Sequence, residues 1–213
     1  MPSPGLGAHE QVPGCPGYVA STAAERSISF GYTEHHVSEC LGHSDEIHGV
    51  TRFLRSVFHR SCVTSPHVVA IGFASEPAPW GVRVALEVAV DFDAGAEQVA
   101  RWPPPNYPDV SASWSGVELP ESPTPPSGWP SGPVVGLSFA WRWQDDTQMT
   151  NATLKDSSGV TVPSVFFDPG EEVYLPSFFL YAHDPLAPDT YEVRYEGIRD
   201  GQPLLETWNF TVQ

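Results

Sequence analysis

Seven of the eight histidines fall within the first 67 residues, at His9, His35, His36, His43, His48, His59 and His67. Imidazole is the commonest metal ligand in proteins, so such a cluster raises divalent-metal chemistry first. Spacing thins the set. His35 and His36 are adjacent, and neighbours on a regular element cannot both face one ion. His43 and His48 are five apart, not the four that put two ligands on one helix face. With His67, these read as surface or capping histidines. Cys62 follows His59 by three residues, a spacing open to a Cys/His pair, although a buried thiol is the simpler reading. There is no Gly-x-Ser-x-Gly elbow and no glycine-rich phosphate loop, and Lys155 is the single lysine. The carboxylate pairs Asp145-Asp146 and Glu171-Glu172 fall in expected turns. Asn151-Ala152-Thr153 and Asn209-Phe210-Thr211 match the glycosylation triplet, a pattern too short to argue from.

The elements that would position these groups change character along the chain. Ser21 or Thr22 caps a short helix in residues 21–30. Ser44 reads as the N-cap of a longer helix ending near His59-Arg60, with Asp45 and Glu46 in its first turn. Ile47, Val50, Leu54, Val57 and Phe58 give it one apolar stripe. Val68 to Phe73 is a short apolar strand closed by Pro77 and Pro79. Val82, Val84, Leu86, Val88, Val90 and Phe92 then alternate with Arg83, Glu87 and Asp91, a strict period of two. An antiparallel pair packed on the 44–60 helix follows.

From Trp102 to Gly132 the chain is proline-rich with Trp102, Trp114 and Trp129 interleaved, which predicts an ordered connector. Residues 133–213 read as all β. Val135, Leu137, Phe139, Trp141 and Trp143 alternate, and further strands are expected at 152–154, 160–162, 172–175 and 190–195. Arg199-Asp200-Gly201-Gln202 is a turn, and Trp208, Phe210 and Val212 alternate to the end. Short strands with frequent turn signals predict a β-sandwich.

Composition sets outer limits. Ten basic residues face 26 acidic ones, a net charge of -16. Such a surface repels phosphate backbones and anionic membranes, which argues against a nucleic-acid partner. No run of about 18 apolar residues exists to span a bilayer. The first residues, Met1-Pro2-Ser3-Pro4-Gly5, show neither a basic stretch nor an apolar one of the signal-peptide kind. Cys15, Cys40 and Cys62 allow one disulfide and a spare thiol, or two or three buried apolar side chains.

A resemblance joins several of these residues. His9-Glu10, Pro16-Gly17-Tyr18, Glu25-Arg26, Gly31-Tyr32, Val37-Ser38-Glu39, Phe58-His59-Arg60 and Val69-Ala70-Ile71-Gly72 together resemble the bacterial branch of the CAP superfamily. That superfamily takes in cysteine-rich secretory, antigen 5 and pathogenesis-related proteins, and its module is also known as the SCP domain. The resemblance implies a cleft lined by His9, Glu39 and His59, with Arg60 beside them. Ser38-Glu39-Cys40 stands where the family has Gly-Glu-Asn, and the helix that would precede His9 is missing, as in an N-terminally truncated copy. The segment Trp102 to Pro120 and the ending Asp200-Gly201 with Trp208-Asn209-Phe210 resemble an immunoglobulin-like module that follows such domains.

The expected organisation is thus an α+β, CAP-like α-β-α sandwich over residues 1–97, a connector over 98–132, and an immunoglobulin-like β-sandwich over 133–213. The resemblance implies a secreted or cell-envelope binding protein, not an enzyme, that takes a small ligand, cell-wall material or a divalent metal. Two imidazoles and a carboxylate from His9, Glu39 and His59 would suit zinc with an open fourth position. Two other readings stand beside it. One is a structural or adhesive surface protein with a degenerate front part. The other is a metal-assisted hydrolase using Glu39 or His59 as general base.

Overall fold

The computed structural model describes residues 10–11, 13–14, 18–32, 36–44, 53–54, 57–78, 81–93, 99–113, 132–140, 146–168 and 177–213. The first helix, α1 (Ala23–Ser29), forms where its capping signal stands. The Thr22 hydroxyl accepts from the Glu25 N–H at 3.2 Å, and the Glu25 carboxylate accepts from the Thr22 N–H at 3.0 Å. This reciprocal capping box satisfies two donors that a helix start leaves orphaned.

The next element departs from expectation. The strand β1 (His36–Ser44) runs up to Ser44, and the start of the helix expected after it, residues 45–52, lies outside the described ones. Beyond them, residues 53–54 are helical, and the second bounded helix, α2 (Val57–Val63), runs past the expected end at His59-Arg60. Two strands follow, β2 (Val68–Ala78) and β3 (Gly81–Val90), and the sheet order is β1-β3-β2. β1 pairs antiparallel with β3 from His36 opposite Val90 to Ser44 opposite Val82. The expected β2–β3 pair is present, and β2 continues through Pro77, tolerable on an edge strand.

The period-two run in β3 sorts its side chains as read. Val84, Leu86, Val88 and Val90 are buried and Arg83 is exposed. The apolar face meets Cys40 of β1 together with Phe53, Cys62 and Val63 from the helical segment. Gly42 leaves room for the Phe53 ring, since a Cβ there would lie 3.2 Å from it.

The remaining strands build a sandwich: β4 (Val99–Trp102), β5 (Tyr107–Val110), β6 (Val134–Phe139), β7 (Thr147–Lys155), β8 (Ser164–Phe167), β9 (Ser177–Ala182), β10 (Asp189–Arg199) and β11 (Gln202–Val212). One sheet runs β4-β6-β9-β8 and the other β5-β11-β10-β7. Leu137, Phe139, Leu154, Phe178, Leu180, Val193, Tyr195, Trp208 and Phe210 fill the space between them. The segment expected as a connector therefore supplies a strand to each sheet. The Asp200-Gly201 turn closes the β10–β11 hairpin with positive φ at both residues, 51° and 72°, as a two-residue hairpin requires. At the β10 end of the sandwich the Tyr191 hydroxyl donates to the Ala187 carbonyl at 2.9 Å. The expected strand at 172–175 lies outside the described residues.

α2 is shared between the two parts. Its far side carries Val57 onto Val134, Phe179 and Tyr181, the outward residues of β6 and β9. With core on one face and helix on the other, every residue of β6 and β9 is buried. Strands covered on both faces read as continuous apolar runs, not alternating ones. Among the described residues the chain is mostly strand, with two bounded helices of 7 residues each. The α+β, CAP-like α-β-α sandwich expected over 1–97 is thereby overturned, while the β-sandwich is compatible with an immunoglobulin-like module.

Candidate functional site

Glu39, His59 and Arg60, assigned to a common cleft, occupy separate places in the fold. β1 alternates its side chains between the two faces of its sheet. Cys40 points inward, and its thiol donates to the backbone carbonyl of His59 at 3.9 Å. Glu39, its neighbour, therefore faces the opposite side, where it forms a buried ion pair with Arg26 of α1. Arg26 also donates to Glu87 of β3 at 3.1 Å and to the Ser21 carbonyl at 3.3 Å. Glu87 lies directly opposite Glu39 in the ladder. One guanidinium thus holds two facing carboxylates and fastens α1 to the outer face of the sheet.

His59 sits on α2 at the inner face, half-buried, its ring 5.3 Å from that of Phe53. The β1-β3-β2 sheet stands between Glu39 and His59. His9 lies outside the described residues. Glu39 and His59 therefore do not offer donors to one ion, and among the described residues no group of three His, Cys, Asp or Glu side chains could hold one. Of the zinc set His9, Glu39 and His59, the two described members do not fit one metal site in this geometry.

Arg60 has another seat. Trp102, Gly136 and Phe179 lie opposite one another across β4, β6 and β9. The guanidinium stands 5.9 Å from each of the two ring centroids, and a Cβ on Gly136 would come within 3.5 Å of it. Its Nη1 donates to the Val134 carbonyl at 2.8 Å, and the residue is only 2% exposed. The residue read as a cleft side chain is an anchor between helix and sandwich. His67, read as a surface or capping histidine, is fully buried, with Nδ1 3.1 Å from the Asp91 carbonyl and its ring edge-on to Phe92. Residues 35 and 48 lie outside the described ones, while His36 is exposed on β1.

The sequence signal for the Arg26 partnership was present but unassigned. Glu25-Arg26 marked a helix, and only the register of β1 on β3 shows that Glu39 and Glu87 form a facing pair in need of a cation.

On the sandwich, a shallow polar depression is lined by Lys155, Asp156, Ser157, Gly159, Thr190, Glu192 and Asn209. Asp156 in this lining and the neighbouring Asp189 fasten turns. The Ser158 hydroxyl and then the Val160 N–H hold the Asp156 carboxyl below its ordinary range. The Ser157 hydroxyl and the Thr190 N–H do the same for Asp189. A depressed carboxyl makes a poor general base at neutral pH.

No family model matches the chain, and no curated protein matches it. The likeness to the CAP superfamily thus rests on the quoted residues alone. No helix among the described residues is long and apolar enough to cross a membrane.

One consequence of the site geometry is directly measurable. Glu39→Gln removes the charge from a pair whose side chains are each 7% exposed. It should lower unfolding free energy by about 1–3 kcal/mol in urea titrations, because Arg26 loses a charge-assisted partner it cannot replace with water. The loss should stay below that of Arg26→Ala, which leaves two carboxylates facing each other.

Proposed function

We propose that the protein is a non-catalytic structural or adhesive component of the cell surface or extracellular space. Its partner meets the outer face of the β5-β11-β10-β7 sheet. The observation that carries this reading is the separation of Glu39 from His59 by a β-sheet, each engaged in packing that holds the fold together. The nature of the outer face supports the second part. Asn151, Thr190, Glu192, Arg194, Thr207 and Asn209 stand exposed on it. Amide and hydroxyl groups spread over an open sheet face suit a repeating hydroxylated surface better than an enclosed small molecule. The net charge of -16 disfavours polyanions. The partner class we favour is a neutral polysaccharide of the cell-wall kind.

Co-sedimentation of the full chain with insoluble neutral polysaccharides tests this. Retention should fall at least about tenfold, some 1.4 kcal/mol, in the Thr207→Glu/Asn209→Glu variant. His59→Ala should bind as the unmodified protein does. Absence of retention on every polysaccharide tried, or loss confined to His59→Ala, would overturn the reading. Metal-dependent turnover abolished by that same change would replace it with the hydrolase.

A further inference from the structure

We propose that Cys40 and Cys62 form a redox pair that closes into a disulfide between β1 and α2. Three observations put the two residues in one neighbourhood between β1 and α2. The Cys40 thiol reaches the His59 carbonyl at 3.9 Å. Helix carbonyls point toward the C-terminus, and residues three apart share a helix face, so Cys62 lies on the side of α2 toward which that carbonyl is directed. Cys62 packs into the same apolar cluster that holds Cys40. Cα atoms of α2 and β1 approach within 8 Å, and a disulfide bridges Cα atoms about 4.4–6.8 Å apart, so closure draws helix and strand together wherever they stand wider than that.

The two side chains divide the labour of oxidation. Cys62 is partly exposed and Cys40 is 1% exposed, and both are thiols in the structure. A small disulfide such as glutathione disulfide supplies the oxidising equivalents. The Cys62 thiolate attacks one of its sulfurs, forming a mixed disulfide and releasing one glutathione thiolate. Cys40, losing its proton to solvent, then attacks the Cys62 sulfur and expels the second glutathione. Two protein thiols and one glutathione disulfide become one protein disulfide and two glutathiones. The product ties the β1 edge of the front sheet to the helix that also anchors the sandwich.

The test uses the full chain equilibrated with glutathione disulfide or with dithiothreitol, then alkylated and mapped without reduction. The expected result is a Cys40–Cys62 linked peptide, alkylation of Cys15 alone, and a melting temperature about 5 °C or more above that of the reduced protein. Cys15→Ser should leave both the linkage and the shift intact. Cys62→Ser should abolish both, and because this residue is partly exposed the variant keeps the test open where Cys40→Ser does not fold. Full alkylation of Cys40 and Cys62 after oxidation, or a linked peptide that contains Cys15, overturns the proposal.

Discussion

Trp208→Ala is expected to lower unfolding free energy by about 4 kcal/mol, the middle of the range for loss of a core aromatic. Trp208 is 5% exposed and its ring lies nearly parallel to that of Tyr195, 5.8 Å away at 5°. Its Nε1–H donates to the Pro103 carbonyl at 2.8 Å. That bond ties the proline-rich segment after β4 to the last strand, so truncation removes packing and leaves a buried carbonyl without its donor. Trp208→Phe separates the two effects. It keeps most of the stacking on Tyr195 and should cost about 1–3 kcal/mol, the hydrogen-bond share. Equilibrium urea unfolding reads both values, and limited proteolysis should find residues 103–113 more susceptible in both variants. Equal losses in Phe and Ala would mean that the Pro103 bond, not the ring, holds this corner.

Arg60→Ala is expected to cost about 3 kcal/mol, with its effect on both sides of α2. The guanidinium contributes a charged hydrogen bond of about 1.5–3 kcal/mol and ring contacts of about 0.5–2 kcal/mol, and its buried stem adds packing. Arg60→Lys should recover less than half of the loss, because an ammonium cannot present a flat face between Trp102 and Phe179 while reaching the Val134 carbonyl. Hydrogen exchange gives the sharper readout. Protection should fall in residues 57–63 and also in 134–139, since α2 and β6 share this residue. A change confined to the helix would show that Val57 and its apolar neighbours alone join the two parts.

Both expectations concern residues that a motif search treats differently. Arg60 reads as a cleft residue by resemblance, whereas Trp208 reads as a member of an alternating strand and of the immunoglobulin-like ending. In the structure both are anchors, and both act through backbone carbonyls, Val134 and Pro103, far from them in sequence. Burial of a polar side chain implies a partner, and a sequence does not name a carbonyl as one.

What could be read directly was local. The short helix capped at Ser21 or Thr22, the alternation from Val82 to Val90, the Asp200-Gly201 turn and the pattern Trp208, Phe210 and Val212 each lie within a few residues, and the backbone period or turn type decides them. What only the tertiary structure decided depended on a distant partner. Glu39 looks like a cleft carboxylate until the pleat turns it toward Arg26 while Cys40 turns toward α2. His67 looks like a surface histidine until Asp91 and Phe92 close over it. The run Val134 to Phe139 reads as one face of a sandwich until α2 covers its other side. In each case the side chain's chemistry was legible in the sequence, but the face it occupied was set by strand register. A one-residue shift in register reverses that face, and no single segment encodes it.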